Sequence, residues 1–285
     1  MNLLAAQIIS RSSQLCPLDA FPFPSGVALS TRRLRSAYSG PCLQVRRSTN
    51  GDITEIGFEG LSLDVPGLLA FCAGGDGFVR GWFDQSPRSL HAWQTATANQ
   101  PKIVSSGAFL GGVVFDGKTF SIATDNTGIV NTTPLTICAA YQSFTFPSAS
   151  SLPSLWRMGP NVGARLWAMF MPGTRNLAQR ISATTFPASP DQPVPATGGA
   201  IISWQKSSLA NQSAITSRVN GGLPSSYPPQ AISSLYKPYI SIAAGFGQAF
   251  TLHEFLFFSG TSLPDQARQT LECSQSDRFG IPLAG

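Results

Sequence analysis

The chain has 285 residues, of which 42% are hydrophobic and only 12% are Asp, Glu, Lys or Arg, against roughly 25% charged residues in an average soluble domain. Its 27 Gly and 22 Pro imply a folded, turn-rich protein, and no window approaches the ~18 consecutive apolar residues of a membrane-spanning helix. The net charge of +5 is densest at Arg32, Arg33, Arg35, Arg46 and Arg47, with no heptad, helix-turn-helix, zinc-finger or aromatic RNA-binding pattern beside it, so specific nucleic-acid recognition is not expected and a solvated or interface face is.

Residues 1–26 read as an attachment arm, punctuated by Pro17, Pro22, Pro24 and Gly26, and 27–285 as one domain. The first ten residues lack a basic stretch and Gln7 breaks their apolar run, which argues against a secretion signal. Cys16, Cys42, Cys72, Cys138 and Cys273 are odd in number and scattered, so buried free thiols are expected rather than disulfides or a zinc site.

Taken in order, Ser30 to Tyr38 predicts a short helix capped by Ser30 and stopped at Gly40, and Leu43 to Arg47 a strand. Asp64 caps a second helix with Pro66 in its first turn and Leu68, Leu69 and Phe71 on its apolar face; it stops at the Gly74-Gly75-Asp76-Gly77 run. Strand patterns then follow at Phe78–Phe83, Val113–Phe115, Leu135–Tyr141, Arg165–Phe170, Ala200–Trp204, Ile240–Ala243 and Thr251–Phe258. The proline-rich stretches 186–199 and 220–229 read as loops. Ser262 to Glu272 predicts a closing helix of about ten to fourteen residues. The fold class is therefore all-β, a sandwich with a few short helices, one of them C-terminal.

Catalytic motifs are sparse. His91 and His253 are the only histidines, and no Gly-x-Ser-x-Gly elbow, HExxH or P-loop is present. His91 reads as structural. Asp76, Asp84, Asp116, Asp125 and Asn126 would suit calcium by ligand type, though without dense Asp-x-Asp spacing; no other cofactor is expected. Trp93, Trp156, Trp167 and Trp204 are candidate sugar platforms, with core packing as the competing reading of each.

Three stretches carry a resemblance. Arg33 to Gly40 with Leu43 to Ser48; Trp82-Phe83-Asp84-Gln85-Ser86 with His91, Gln94 and Ala98 to Ile103; and Glu254 to Phe258 through Arg268 to Glu272 and Phe279 to Ile281 together resemble the catalytic domain of fungal α-L-arabinofuranosidase B. The resemblance implies a concanavalin A-like two-sheet jelly roll over 27–285, with Trp82, Asp84, Gln85 and Ser86 as a structural motif. The opening and the closing Arg-Gln-x-Leu-Glu-x-x-Gln helix are also similar to tailed-bacteriophage and prophage proteins of the laminin G-like class.

The enzyme family's nucleophile is a Glu shortly after a Trp-x-Met strand. Here Trp167-Ala168-Met169 is followed by Phe170 to Asn176 without an acid, and the turn that carries the family's acid/base Asp is matched by Ala243 to Gly247, again without one. From 126 to 253 the only acid is Asp191. Hydrolysis of a glycosidic bond needs two carboxylates flanking it. Asp84, Asp116 and Glu254 remain as conceivable partners, with Asp84 expected to anchor a turn and Glu254 to make a surface or sheet-edge contact.

By resemblance Trp167, Arg175, Asn176 and Gln179 fall where sugar contacts would lie. The expectation is a virion protein of tail fibre, tail tip or head decoration, made in the host cytoplasm. Residues 1–26 would meet other virion proteins, the assembly would be a homo-oligomer, a trimer by analogy, and the sandwich would bind a host-surface glycan. A diverged arabinofuranosidase-like hydrolase is the alternative.

Overall fold

The computed structural model describes residues 16–21, 26–116, 120–122, 134–145, 154–158, 166–170, 175–180, 192–207, 213–230, 240–242 and 249–284. Its elements are β1 (Gly26–Ser30), β2 (Leu43–Arg47), β3 (Ile53–Ile56), β4 (Phe58–Glu59), β5 (Ser62–Leu63), α1 (Val65–Cys72), β6 (Gly77–Trp82), β7 (Ala92–Trp93), β8 (Lys102–Ser105), β9 (Ala108–Asp116) and β10 (Phe120–Ile122). They continue with β11 (Leu135–Thr145), β12 (Ser154–Met158), β13 (Leu166–Phe170), β14 (Leu177–Arg180), β15 (Ala200–Lys206), β16 (Ser213–Val219), β17 (Ser225–Gln230), β18 (Ile240–Ile242), β19 (Ala249–Ser259) and α2 (Asp265–Phe279).

Every pairing among the described strands is antiparallel, and the pairs order into two layers. One runs β17-β16-β15-β11-β19, with β1 and β9 both on the free side of β19, along its two halves. The other runs β3-β2-β6-β7-β10-β18-β12-β13-β14. Strand β8 pairs with both β6 and β9 and turns the corner between the layers. Val27, Leu29, Ile137, Phe255 and Phe257 of the first layer and Val45, Val79, Trp82, Trp156 and Ile242 of the second share one buried apolar cluster. This is an all-β sandwich, as the strand rhythm predicts.

The first layer is covered on its outer side too. Ala28, Cys138, Leu256 and Phe258 meet Leu271 of α2 together with Leu18, Leu34 and Leu263. Strand β19 is consequently buried along nearly its whole length, which explains why Phe255 to Phe258 is apolar on both faces instead of alternating.

Both predicted helices that survive have clear local causes. Asp64 accepts a hydrogen bond from the Gly67 amide at 2.8 Å, Pro66 sits in the first turn of α1, and Ala73 and Gly74 follow in left-handed conformation. Helix α2 starts behind Pro264 and ends at Gly280 with φ 65°. Its inward face is less apolar than Ala267 and Leu271 suggest: Arg268, Glu272, Ser274 and Gln275 are buried beside Leu271.

Three expectations are corrected. Residues 30–38 are not helical: Ser30 ends β1, Arg32 forms a bridge with Ser62, and the Leu34 amide donates to Gln85 Oε1 at 2.7 Å. Tertiary partners thus take the polar groups that a helix would have used. Pro228 and Pro229 lie in β17, not in a loop; this strand pairs with β16 alone among the described strands, and an edge tolerates missing N–H donors. The arginine cluster is not one solvated face, because Arg32 is buried.

Residues 16–21 pack against the sandwich, the Leu18 amide donating to the Leu34 carbonyl at 2.9 Å. The remainder of the expected arm up to residue 25 lies outside the described residues. Cys16, Cys42, Cys72 and Cys138 are buried free thiols, whereas Cys273 is exposed. No described helix is long and apolar enough to cross a membrane.

Candidate functional site

Glu254 is fully buried, which corrects the expected surface contact. It lies on the outer side of β19 beneath α2, opposite Ser30 of β1. Its Oε2 accepts from Ser30 Oγ at 2.8 Å and from Arg32 Nε at 2.7 Å; its Oε1 accepts from Arg32 Nη2 and Gln275 Nε2, both at 3.1 Å. Arg32 Nη1 is held in turn by the carbonyl and hydroxyl of Ser274. A fully buried carboxylate whose oxygens each accept two hydrogen bonds is a clamp for β1 and α2.

Asp84 is the second buried acid, and it anchors its turn as expected. Oδ1 accepts from the Ala28 and Ser86 amides at 2.7 and 2.9 Å, and Oδ2 from Ser86 Oγ and the Leu90 amide at 2.6 and 2.8 Å. Burial pushes its pKa up, while these donors pull in the opposite direction. Gln85 Nε2 reaches the Ser30 and Arg32 carbonyls, Ser86 Oγ also donates to the Gly26 carbonyl, and Trp82 Nε1 donates to the Ser30 carbonyl. The Trp82-Asp84-Gln85-Ser86 motif therefore rivets β1 to the second layer.

Neither histidine is arranged as a general base. The Asp84 amide donates to His91 Nδ1 at 3.0 Å, which assigns that nitrogen as an acceptor. Burial lowers the His91 pKa. His253 lies beside Gln142 Oε1 at 2.9 Å, stacks on Phe279, and is pushed down to about 4 by desolvation. Asp116 is exposed at the end of β9, and Asp125, Asn126 and Asp191 lie outside the described residues. Asp76 is paired with Lys102 at 2.8 Å. Among the described residues no three His, Cys, Asp or Glu stand together as a metal site.

The outer face of the second layer has a different character. Gln44 and Arg46 of β2, Phe78 and Arg80 of β6, Trp93 of β7 and Lys102 of β8 are all half-buried on it. In the β2–β6 pairing Gln44 meets Gly81 but Val45 meets Val79, so Arg80 is an extra residue in a β-bulge. Bulges redirect side chains. Here the bulge lets Arg80 and Gly81 share the outer side: Arg80 hydrogen-bonds Gln44 Oε1 and lies 5.8 Å from the Trp93 ring centroid.

Trp93 lies directly across Gly81 in the β6–β7 pair. A Cβ at Gly81 would collide with the indole, coming within 2.8 Å of Cε3. The missing side chain is what allows the ring to lie against the strand. Phe83 and His91 meet Trp93 edge-on at 5.6 and 6.1 Å. Beside it Arg46 stacks on Phe78 at 4.6 Å and bonds Gln100 Oε1, and Gln100 bonds the Gln94 carbonyl. Fixed rings, guanidinium groups and amides on one open face can stack on apolar sugar faces and bond hydroxyls.

Of the other tryptophans, Trp156 and Trp204 are buried and pack edge to face at 5.4 Å, which is the core reading. Trp167 stands opposite Arg180 in the β13–β14 pair, and Gln179 opposite Ala168; the side chains of Trp167 and Gln179 lie outside the described residues. Arg175 is exposed and Asn176, which bridges to Pro193, is half-buried just before β14. Sequence reading named Trp93 but missed Arg80, Gln44 and Phe78. The available signal was Gly81 inside a strand pattern, which marks a bulge or a close approach.

No protein-family model matches the chain, and no curated protein does. Solved structures do match. A point mutant of a GH54 α-L-arabinofuranosidase soaked with 4-nitrophenyl α-L-arabinofuranoside superposes with a TM-score of 0.70 and 14% identity, over 92% of this chain and 64% of that one. An arabinofuranosidase complexed with arabinofuranosyl-α-1,2-xylobiose gives 0.70 and 14%, over 95% and 66%. The shared property is the fold. A Trypanosoma rangeli sialidase mutant displaying trans-sialidase activity follows at 0.53 and 14%, over 99% of this chain and 40% of that one. The chain spans just under two thirds of the length of the arabinofuranosidases it matches.

Proposed function

We propose that this chain is a glycan-binding sandwich on a glycoside-hydrolase frame that lacks the hydrolytic carboxylate pair, with the Trp93 face as its binding surface. One observation carries the reading: Glu254 and Asp84, the acids nearest to a conceivable dyad, have no exposed surface and every carboxylate oxygen is engaged in structural bonds. Acid–base hydrolysis requires carboxyl groups that reach both sides of the scissile bond. Trp167, Arg175, Asn176 and Gln179 remain proposed sugar contacts by resemblance alone: Trp167 is on β13, Gln179 on β14 and the other two just before β14, and the register pairs Trp167 with Arg180 and Gln179 with Ala168.

The alternative is a diverged arabinofuranosidase-like hydrolase, which the fold shared with the arabinofuranosidases favours. Incubation with 4-nitrophenyl α-L-arabinofuranoside separates the two. The glycan-binding reading expects no release of nitrophenol above the uncatalysed rate. Turnover that disappears in Asp116→Asn or Asp191→Asn would establish the hydrolase instead.

The likeness of the opening and closing segments to tailed-phage proteins supports a setting on a virion. In that setting residues 1–26 face neighbouring subunits of a homo-oligomer and the open sheet faces the host surface.

A further inference from the structure

Away from the Trp93 face, Arg32, Arg33 and Arg278 converge on a cleft of about 150 Å³ whose remaining walls are Pro17, Leu61, Ser274 and Asp277. The three cations are not equivalent. Arg32 is neutralised by Glu254 and saturated by Ser274. Arg278, in the last turn of α2, donates to Ser62 Oγ at 2.7 Å, a neutral acceptor. Arg33 lies over the Phe58 ring at 5.4 Å, and its Nε is buried without a hydrogen-bond partner.

A buried donor left unpaired is costly and rare in a native fold. Two guanidinium groups beside a third that is already paired also repel one another; burial and the neighbouring Arg32 both push the Arg278 pKa down. The acid in the wall, Asp277, is exposed at the cleft's edge. An anion in the cleft would offset this crowded positive charge by bonding the outer N–H groups of Arg33 and Arg278, since guanidinium groups present several N–H donors in a planar fork suited to oxyanions; Arg33 Nε, which is buried, stays out of its reach.

We infer that the Arg32–Arg33–Arg278 cleft is a binding site for an oxyanion group, a phosphate, sulfate or carboxylate, bonded by Arg33 and Arg278 and positioned by Arg32. The site draws its residues from the segment after β1 and from the end of α2, so its occupant would also tie these two parts of the chain together. It is independent of the glycan proposal, because no residue of the Trp93 face contributes to it.

The test is thermal unfolding and titration calorimetry of the full chain with sodium phosphate, sulfate or glucuronate at ionic strength held constant with sodium chloride. At least one of these anions should bind saturably and raise the unfolding midpoint, and Arg278→Ala and Arg33→Ala should each weaken its binding by about tenfold or more. Arg33→Gln, which keeps most of the stem over Phe58, guards against a folding defect and should lose affinity similarly. Which of the three anions binds tightest distinguishes a phosphorylated, sulfated or uronic ligand. Midpoint shifts no larger than in chloride, or unchanged affinity in a folded Arg33→Gln or Arg278→Ala chain, would overturn the assignment.

Discussion

The guanidinium of Arg32 and the carboxylate of Glu254 meet at 2.7 Å across 222 positions of sequence, with Glu254 fully buried and Arg32 nearly so. The pair joins the segment after β1 to the central strand β19 and, through Ser274 and Gln275, to α2. The buried acid of β19 thus serves as a structural tie. Glu254→Gln leaves Arg32 buried without its counter-ion and should destabilise the fold by about 3–5 kcal/mol, read as a lower denaturation midpoint in urea. A variant of unchanged stability would contradict that role.

Asp84 is the second such tie. Asp84→Ala removes the acceptor for the Ala28, Ser86 and Leu90 amides and should cost roughly 2–4 kcal/mol. Amide exchange should quicken first at Ala28, in the strand that the motif rivets.

Gly81 governs the attitude of Trp93. Gly81→Ala forces the indole off the strand and is expected to weaken glycan binding about as much as Trp93→Ala, roughly tenfold for a lost stacking platform. Unfolding should shift by no more than ~1 kcal/mol. Titration of both variants against any glycan retained by the wild type checks this.

His253 makes stability depend on pH. Its folded pKa is pushed down from 6.5 to about 4, so the unfolded chain takes up the proton first. The contribution is fully present above pH 6.5 and is lost as pH falls toward 4, amounting to about 3 kcal/mol over the whole window. Denaturation midpoints measured from pH 7 to 4 should decline more gently in His253→Gln than in the wild type.

Thiol reactivity should follow burial. Cys273 is exposed, whereas Cys16, Cys42, Cys72 and Cys138 are buried. Burial raises the pKa of all five, and Asp277 and Glu272 add to the rise at Cys273, so access rather than acidity separates them. A disulfide reagent should modify Cys273 in the folded chain, faster as pH rises, and the others only on unfolding.

Local chemistry was legible wherever it decided the outcome. Asp64 and Pro66 announced α1 because a cap and an early proline act within one turn, and Phe255 to Phe258 announced β19 because a residue's apolar character is readable without knowing its partners. Ser30 misled for the opposite reason: its hydroxyl donates to Glu254 instead of capping a helix, and a contact with the far end of the chain leaves no local trace. The site was half visible. Trp93 stood out as an aromatic, but its partnership with Arg80 depends on a bulge in register, and the cleft of Arg33 and Arg278 joins segments from opposite ends of the chain. The scarcity of acids between 126 and 253 was visible outright, and it is the sequence feature on which the proposal of binding without hydrolysis rests.

Glycan binding through Trp93 without hydrolysis is read most directly on a glycan microarray probed with wild type and Trp93→Ala, with the mass of each printed glycan measured afterwards. The wild type should be retained on a subset of glycans, Trp93→Ala should be lost from them, and their masses should be unchanged. No retention, equal retention of the variant, or loss of terminal sugar mass would contradict it.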